Sequence, residues 1–505
     1  MRRLIPLLPL LAALALAPAA RAAGTLRIGL NEDPGTLDPA QSGGFVDRVV
    51  FASLCDKLID LSPKLDFVPQ LATAWDWSEG GRVLTLHLRP GVLFQDGTKM
   101  DAAAVAANIA RYQTAPESLR KTELKSVVSV EVADPTTIRL HLRAPDATLL
   151  AALADRAGMM ISPAAIKKYG RDLAIHPVCA GPFRLAQRVA QDHITLSRFR
   201  RYWNAKAIHF DQIIFRPIPD TTVRLVNLQS GQLDLIERMA PTDAAAVRRN
   251  PKLRLVTEPS LAYALVLFNL TRGTGDTTPL AKLRAVREAF AKSLDRAAIN
   301  KVAFNGEYIP ANQTETPGSR YWNPAHPVAP RDLDGARALL KQAGLKRVPV
   351  TLTVAADPID GQEGELIQSM AGEAGFDVRL QSNEVNAQVA DAKAGSFQAS
   401  LVFWSGRPDP DANIAIWAQC DGFLNWGGYC NKHMDALLAQ GRATLDPAAR
   451  VPIYRQVADI YLHDRPFVVL YHLRWLWGMA RALHGFVPTP DGMIRPEGLT
   501  LAAPG

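Results

Sequence analysis

From Leu265 onward, short apolar runs alternate with stretches of helical spacing, and this alternation bounds the possible folds more tightly than any other feature. Residues 265–270, 350–354, 376–380, 401–404 and 467–471 are of strand length and composition. Between them, Leu280, Leu283, Val286 and Phe290 fall on one helix face. Asp295 stands where it caps a following helix, and Asp334 is placed to cap 335–343, with Gly344 as the stop. Residues 363–374 and 450–463 are also helical in pattern. The first half instead carries alternating runs and turns. Examples are Thr25–Leu30, Val83–Leu88, a hairpin of 127–132 with Thr137–Leu142 around Ala133-Asp134-Pro135, and 194–199. Within it Asp101 is set to cap a helix through Arg111, and 221–230 forms another ended by Gly231. The pattern is that of a mixed α/β protein.

A chain of 505 residues exceeds what one apolar core usually holds, so two or three lobes are expected. No repeat of fixed period and no low-complexity linker separates them. The chain is therefore expected to cross between closely knit lobes.

The N-terminus reads as an export signal. Met1-Arg2-Arg3 is positive, residues 4–17 are apolar, and Ala20-Arg21-Ala22 presents small residues where a signal peptidase cuts, predicting cleavage after Ala22. A membrane anchor is the alternative, but the run is short for a span. No cysteine follows the cut, so the mature protein is expected to be free of a lipid anchor. The formal charge of +8 loses Arg2, Arg3 and Arg21 with the leader, which leaves +5. No dense basic run with interleaved aromatics accompanies it, which argues against nucleic acid as a partner.

Four cysteines in an oxidising compartment invite bridges. Cys420 and Cys430 close a short glycine-containing loop and are the expected pair; Cys55 with Cys179 is the second possible one. Cys430 and His433 offer a metal alternative, but one Cys-x-x-His without a second pair is a weak zinc signal. Catalytic patterns are missing. There is no His-Glu-x-x-His, no phosphate loop and no Gly-x-Ser-x-Gly around Ser405, and the ten histidines form no spaced set. No cofactor is expected, and an exported hydrolase is the lower-ranked alternative.

Several segments, in order, resemble the extracellular solute-binding proteins of family 5, which serve peptide and nickel importers driven by ATP. They are PQLATAW at 69–75, LTLHLRPGVLFQDGTKMDAAAVAANIARY at 84–112, Gly181-Pro182-Phe183, Tyr202-Trp203 and FRPIPDTTVRLVNLQSGQLDL at 215–235. Val286-Arg287-Glu288-Ala289-Phe290, Ser293-Leu294-Asp295-Arg296, Pro310 and the 336–344 helix complete the set. The resemblance spans essentially the whole mature chain. It implies the α/β type II periplasmic-binding-protein fold (cluster C), two lobes joined by a hinge. Residues 24–265 and 471–505 would form lobe I, with an extra subdomain at about 49–170. Residues 266–470 would form lobe II, with crossovers near Phe268 and Tyr471. It also implies a monomeric periplasmic receptor that closes on a peptide-like or zwitterionic or anionic solute and delivers it to a membrane permease and its ATPase. A receptor of the same fold for a metal chelate, an opine or a sugar-acid conjugate is the alternative.

The segment LVFWSGRPDPDAN at 401–413 carries the main candidate contacts. Trp404 offers a flat wall and an N–H, Ser405 and Gly406 permit close approach, and Arg407 follows. In dipeptide receptors the matching strand end holds the peptide amine with an aspartate, whereas this chain has Arg407, which can grip a carboxylate or phosphate. Asp357 falls near where those receptors use an arginine, so the resemblance implies exchanged charges. The competing reading pairs Arg407 with Asp409 or Asp411 as a surface ion pair worth ~0–1 kcal/mol. Glu32, Gly35 and Thr36 are expected on the opposite lip, and Phe45 and Trp426 are candidate aromatic walls.

Overall fold

A computed structural model describes residues 24–502 except Thr274 and Asp357. The predicted leader and its cleavage point lie outside the described residues. A single mixed sheet of eleven strands runs through the molecule. Its order is Phe376–Asn383, Val348–Ala355, Ala399–Trp404, Leu253–Phe268, Phe467–Ala480, Leu235–Ile236, Thr25–Leu30, Gln212–Pro217, His193–Arg198, Phe183–Val189. Ile309–Pro310 joins Phe467–Ala480 off this path. Thr25–Leu30 with Gln212–Pro217, and Val348–Ala355 with both its neighbours, pair in parallel, as crossover helices require, while the two long central strands and the outer pairs around His193–Arg198 are antiparallel.

Those two strands belong to two cores. Ala262–Phe268 and the stretch from Phe467 to Leu473 pack into one apolar cluster, with Phe290, Leu352, Phe376 and Trp417. Trp475, Trp477 and Met479 pack into another, with Ile28, Phe51, Phe183 and Phe215, which the tail residues Met493, Ile494 and Leu499 complete. The change of core coincides with a break in the ladder between Pro259 and Tyr263. Ser260 is fully buried there. Its hydroxyl donates to the Leu473 carbonyl at 2.9 Å and accepts from the Ala262 amide at 3.0 Å, which satisfies the groups the bulge leaves unpaired.

A third core, with Leu58, Leu86, Tyr112 and Ile138, lies under a separate four-stranded sheet ordered Ala72–Ser78, Val83–Leu88, Thr137–Leu142, Val127–Asp134. The expected hairpin of this sheet forms, and Asp101 caps the helix Ala102–Thr114 by accepting from the Ala104 amide. This unit also touches the far side of the molecule. The Ala147 amide donates to the Arg442 carbonyl at 2.8 Å, and Asp66 meets Arg320 at 3.4 Å.

Three expectations change. Leu283 is extended and 40% exposed, so the anticipated single helix is two, Pro279–Lys282 and Arg284–Ser293. Asp332, not Asp334, caps Leu333–Gln342, because its carboxylate accepts from the Gly335 amide at 2.8 Å. The strands read as 265–270 and 467–471 extend to sixteen and fourteen residues, since each supplies the other's hydrogen bonds beyond its apolar run.

Both cysteine pairs are bridged, Cys55 to Cys179 and Cys420 to Cys430, so Cys430 has no thiolate for a metal. The first bridge closes a sequence separation of 124 residues and the second one of 10. Gln95 reinforces the first, donating to the Leu54 and Phe183 carbonyls and accepting from the Cys179 amide. On the chain-entropy scale the long bridge stabilises by about 5 kcal/mol and the short one by about 3 kcal/mol. Replacing Cys55 and Cys179 together by Ser is therefore expected to lower the thermal midpoint more than replacing Cys420 and Cys430. Calorimetry on the two double variants checks the order.

Candidate functional site

The strand Ala399–Trp404 ends at the ladder break, where the chain must turn sharply past the neighbouring strand. Gly406 has φ +72, and a Cβ there would lie 2.2 Å from the Leu261 carbonyl oxygen, so only glycine fits. Asn413 then fixes the turn. It accepts from the Arg407 amide at 2.8 Å and from Trp404 Nε1 at 3.2 Å, and donates to the Arg407 carbonyl at 2.9 Å. Asn413 stands on the helix Asp411–Ala418, whose apolar residues follow Pro408, Pro410 and two aspartates.

Arg407 lies over the Trp404 ring at 4.6 Å, and its Nη1 donates to Ser405 Oγ and the Gly406 carbonyl. Its Nε is 3.9 Å from Asp155, a residue of the opposite side of the molecule. The alternative pairing with Asp409 or Asp411 does not occur. Arg450 grips Asp409 in a fork at 2.6 and 2.8 Å, and Arg442 takes Asp411 at 2.9 Å.

Asp155 gathers further arginines. Arg48, on the helix Phe45–Leu54, reaches it at 3.0 Å, and the Arg156 amide donates to the same oxygen at 2.8 Å. Although burial alone would raise it, the Asp155 carboxyl is held far below the usual carboxylate range by the guanidinium groups of Arg48, Arg156 and Arg407. Burial pushes the Arg156 guanidinium down to about 9, against the pull of Asp155. Arg120 stands behind, paired with Glu123 at 2.5 Å.

An aromatic wall adjoins the cluster. Phe45 stacks on Trp475 at 4.7 Å, and the Arg238 guanidinium sits between Phe45 at 5.6 Å and the exposed Phe403 at 5.7 Å. Gly35 is tied to the base of this wall, because its amide donates to Asp47, which also accepts from Ser42 Oγ and the Gly44 amide. Thr36 Oγ1 accepts from the Asp38 amide, and Glu32 is exposed beside them.

Trp404, Ser405, Gly406, Arg407 and Phe45 are thus brought around one crevice, with Gly35 and Thr36 at its base. Trp426 is buried in the core against Trp417, whose other side meets Trp404, so it backs the wall rather than lining it. Asp357 lies outside the described residues. Arg48, Asp155, Arg156, Arg238, Phe403 and Asn413 were not singled out from sequence. Arg48 and Asp155 stand 107 positions apart, and nothing local links them.

Residues 66–425 match the family described as bacterial extracellular solute-binding proteins, family 5 Middle. The chain is 30% identical over 490 residues to the glutathione-binding protein GsiB of Shigella dysenteriae, covering 94% of each. It is 30% identical over 500 residues to GsiB of Salmonella typhi, covering 95% of this chain and 96% of that one. Among solved structures, AgaA of A. tumefaciens R10 in complex with agropinic acid is similar with a TM-score of 0.82 at 25% identity, over 95% of this chain and 99% of that one. The dipeptide-binding protein of Pseudoalteromonas sp. SM9913 in complex with Met-Leu shares the fold, with a TM-score of 0.83 at 19% identity over 95% and 100% of the two chains.

Behind the turn, Asn413 donates to Glu315 at 3.0 Å, and Ser319 donates to the other oxygen. Burial pushes the Glu315 carboxyl up from 4.5 to about 7, despite these bonds; Asp409 adds to the rise and Arg450 opposes it. Folded protein therefore holds this proton more tightly than unfolded chain does. Stability is complete below the ordinary value and falls as pH climbs toward 7. Glu315→Gln should abolish up to about 3 kcal/mol of that loss. Urea unfolding of both proteins near pH 5 and near pH 8 reads the difference.

Proposed function

The chain belongs to the bacterial extracellular solute-binding proteins of family 5, the receptors of ABC importers, and on that premise we propose that it closes around a small solute bearing an anionic group and passes it, unaltered, to a membrane permease. The ligand enters between Trp404–Arg407 on one side and Phe45, Arg48 and Asp155 on the other. The observation that carries this reading is the approach of Arg407 to Asp155, 3.9 Å across the crevice between elements of the first and third cores. An arginine at that place favours a carboxylate or phosphate and repels an ammonium. Two relatives are named for, or solved with, acids: glutathione for GsiB and agropinic acid for AgaA.

In this reading residues 24–259 and 475–505 form one lobe, with 49–170 inserted, and 262–473 form the other. The hinge falls at the ladder break, between Pro259 and Ala262 on one strand and between Leu473 and Trp475 on its partner. That is slightly inside the limits expected from sequence, and two short strand segments there absorb the rotation. The leader directs export and is removed after Ala22, and the mature receptor acts as a monomer in the periplasm, without a lipid anchor. Among the described residues no helix is long and apolar enough to cross a membrane.

Closure is favoured only by contacts that the ligand makes better in the shut form, so removing one such contact must weaken binding. Arg407→Ala is expected to reduce affinity for the ligand by more than tenfold, on the scale of a lost charge-assisted hydrogen bond. The measurement is calorimetric titration with glutathione and a panel of metabolite acids, with scattering to follow compaction. Unchanged affinity in the variant would remove the assignment. Turnover of a bound compound would instead favour a hydrolase.

A further inference from the structure

Charge within the crevice is not balanced. Arg120 and Glu123 neutralise each other. That leaves Arg48, Arg156 and Arg407 around one carboxylate, Asp155, with side-chain exposures of 6%, 2% and 20%. Arg156 Nη1 donates only to Ser42 Oγ at 3.3 Å and the Gly44 carbonyl at 3.2 Å, and its buried Nε has no hydrogen-bond partner. Arg407 Nη1 likewise bonds to a hydroxyl and a carbonyl. The remaining neighbouring carboxylate, Asp47, reaches Arg156 only through Ser42 Oγ and already accepts three hydrogen bonds.

Burying a cation without a counter-charge costs several kcal/mol. Elsewhere this chain meets that cost with carboxylates or, at Arg224, Arg287 and Arg296, with backbone carbonyls. Arg450 has Asp409, and Arg495 has both Asp60 and Asp491. What sets the crevice apart is that three guanidinium groups share one carboxylate; a pocket opens beside Arg48 and Asp155 and is lined further on by Lys57, Asp60, Arg495 and Glu497.

We propose that Arg48 and Arg156 from one side and Arg407 from the other form a single subsite for a doubly negative oxyacid, either a pair of carboxylates on one small solute or a phosphate group. Asp155 is a positioning residue. It aligns the guanidinium groups and offsets one charge, and the ligand supplies the rest. This rests on the receptor reading above and narrows its ligand from an acid to a dianion.

The test is calorimetric titration of the mature full-length chain, at constant ionic strength, with glutarate, inorganic phosphate, butyrate and glycylglycine. Glutarate or phosphate should bind at least tenfold more tightly than butyrate, and which of the two prevails tells a dicarboxylate from a phosphate subsite. Arg48→Gln should bring the dianion to within about threefold of butyrate; Arg407→Gln, on a half-buried turn, provides a second variant should the first not fold. Equal affinities for dianion and monoanion, or a ratio untouched by either variant, would overturn the proposal. Glycylglycine binding in preference to both dianions would overturn it as well while leaving the receptor reading intact. Failure of all four probes, together with failure of the wider panel to bind or to compact the protein, would bring down both.

Discussion

The molecule depends on the antiparallel pairing of Leu253–Phe268 with Phe467–Ala480. All other strands of the main sheet are placed outward from this pair, and both large cores are built on its two ends. The ladder cannot remain regular along its whole length, because a long two-stranded ribbon accumulates twist. It yields between Pro259 and Tyr263, where proline has no N–H to contribute, and Ser260 repairs the gap with its hydroxyl. The crevice opens at that irregularity. Gly406 fits against Leu261 only because the neighbouring backbone bends there.

Much of this was legible in the sequence, and the parts that were not share a cause. Strand runs and helix faces follow from local periodicity, so the alternation after Leu265, the capped helix after Asp101 and the 127–142 hairpin could be read directly. The first half of the long strand could not. Arg254 to Pro259 is only partly buried, and its conformation is imposed by its partner strand rather than by its own pattern. Likewise the tryptophan-rich stretch after Tyr471 looks like no particular element until it is paired. Asp332 displaced Asp334 as a cap because both are suitable residues and only backbone geometry chooses between them.

The crevice divides in the same way. The Trp404–Arg407 turn announces itself through a buried strand ending in glycine and charge. Its counterpart does not. Arg48, Asp155 and Arg156 are ordinary charged residues on a helix and a short turn, and their significance arises only when the third dimension adds three positive groups to one carboxylate. Whether Arg407 pairs with Asp409 was open in one dimension. It was decided by Arg450, forty-one positions away, which takes both oxygens of that carboxylate.

The contacts at the outer rim, from Ala147 to Arg442 and from Asp66 to Arg320, involve no crevice residue. Under the proposed clamp motion they form only in the shut form. They therefore set its standing population before any guest arrives, and the observed dissociation constant scales inversely with that population. Evolution could tune how avidly such a receptor scavenges by editing this distant seam, while leaving the choice of guest untouched.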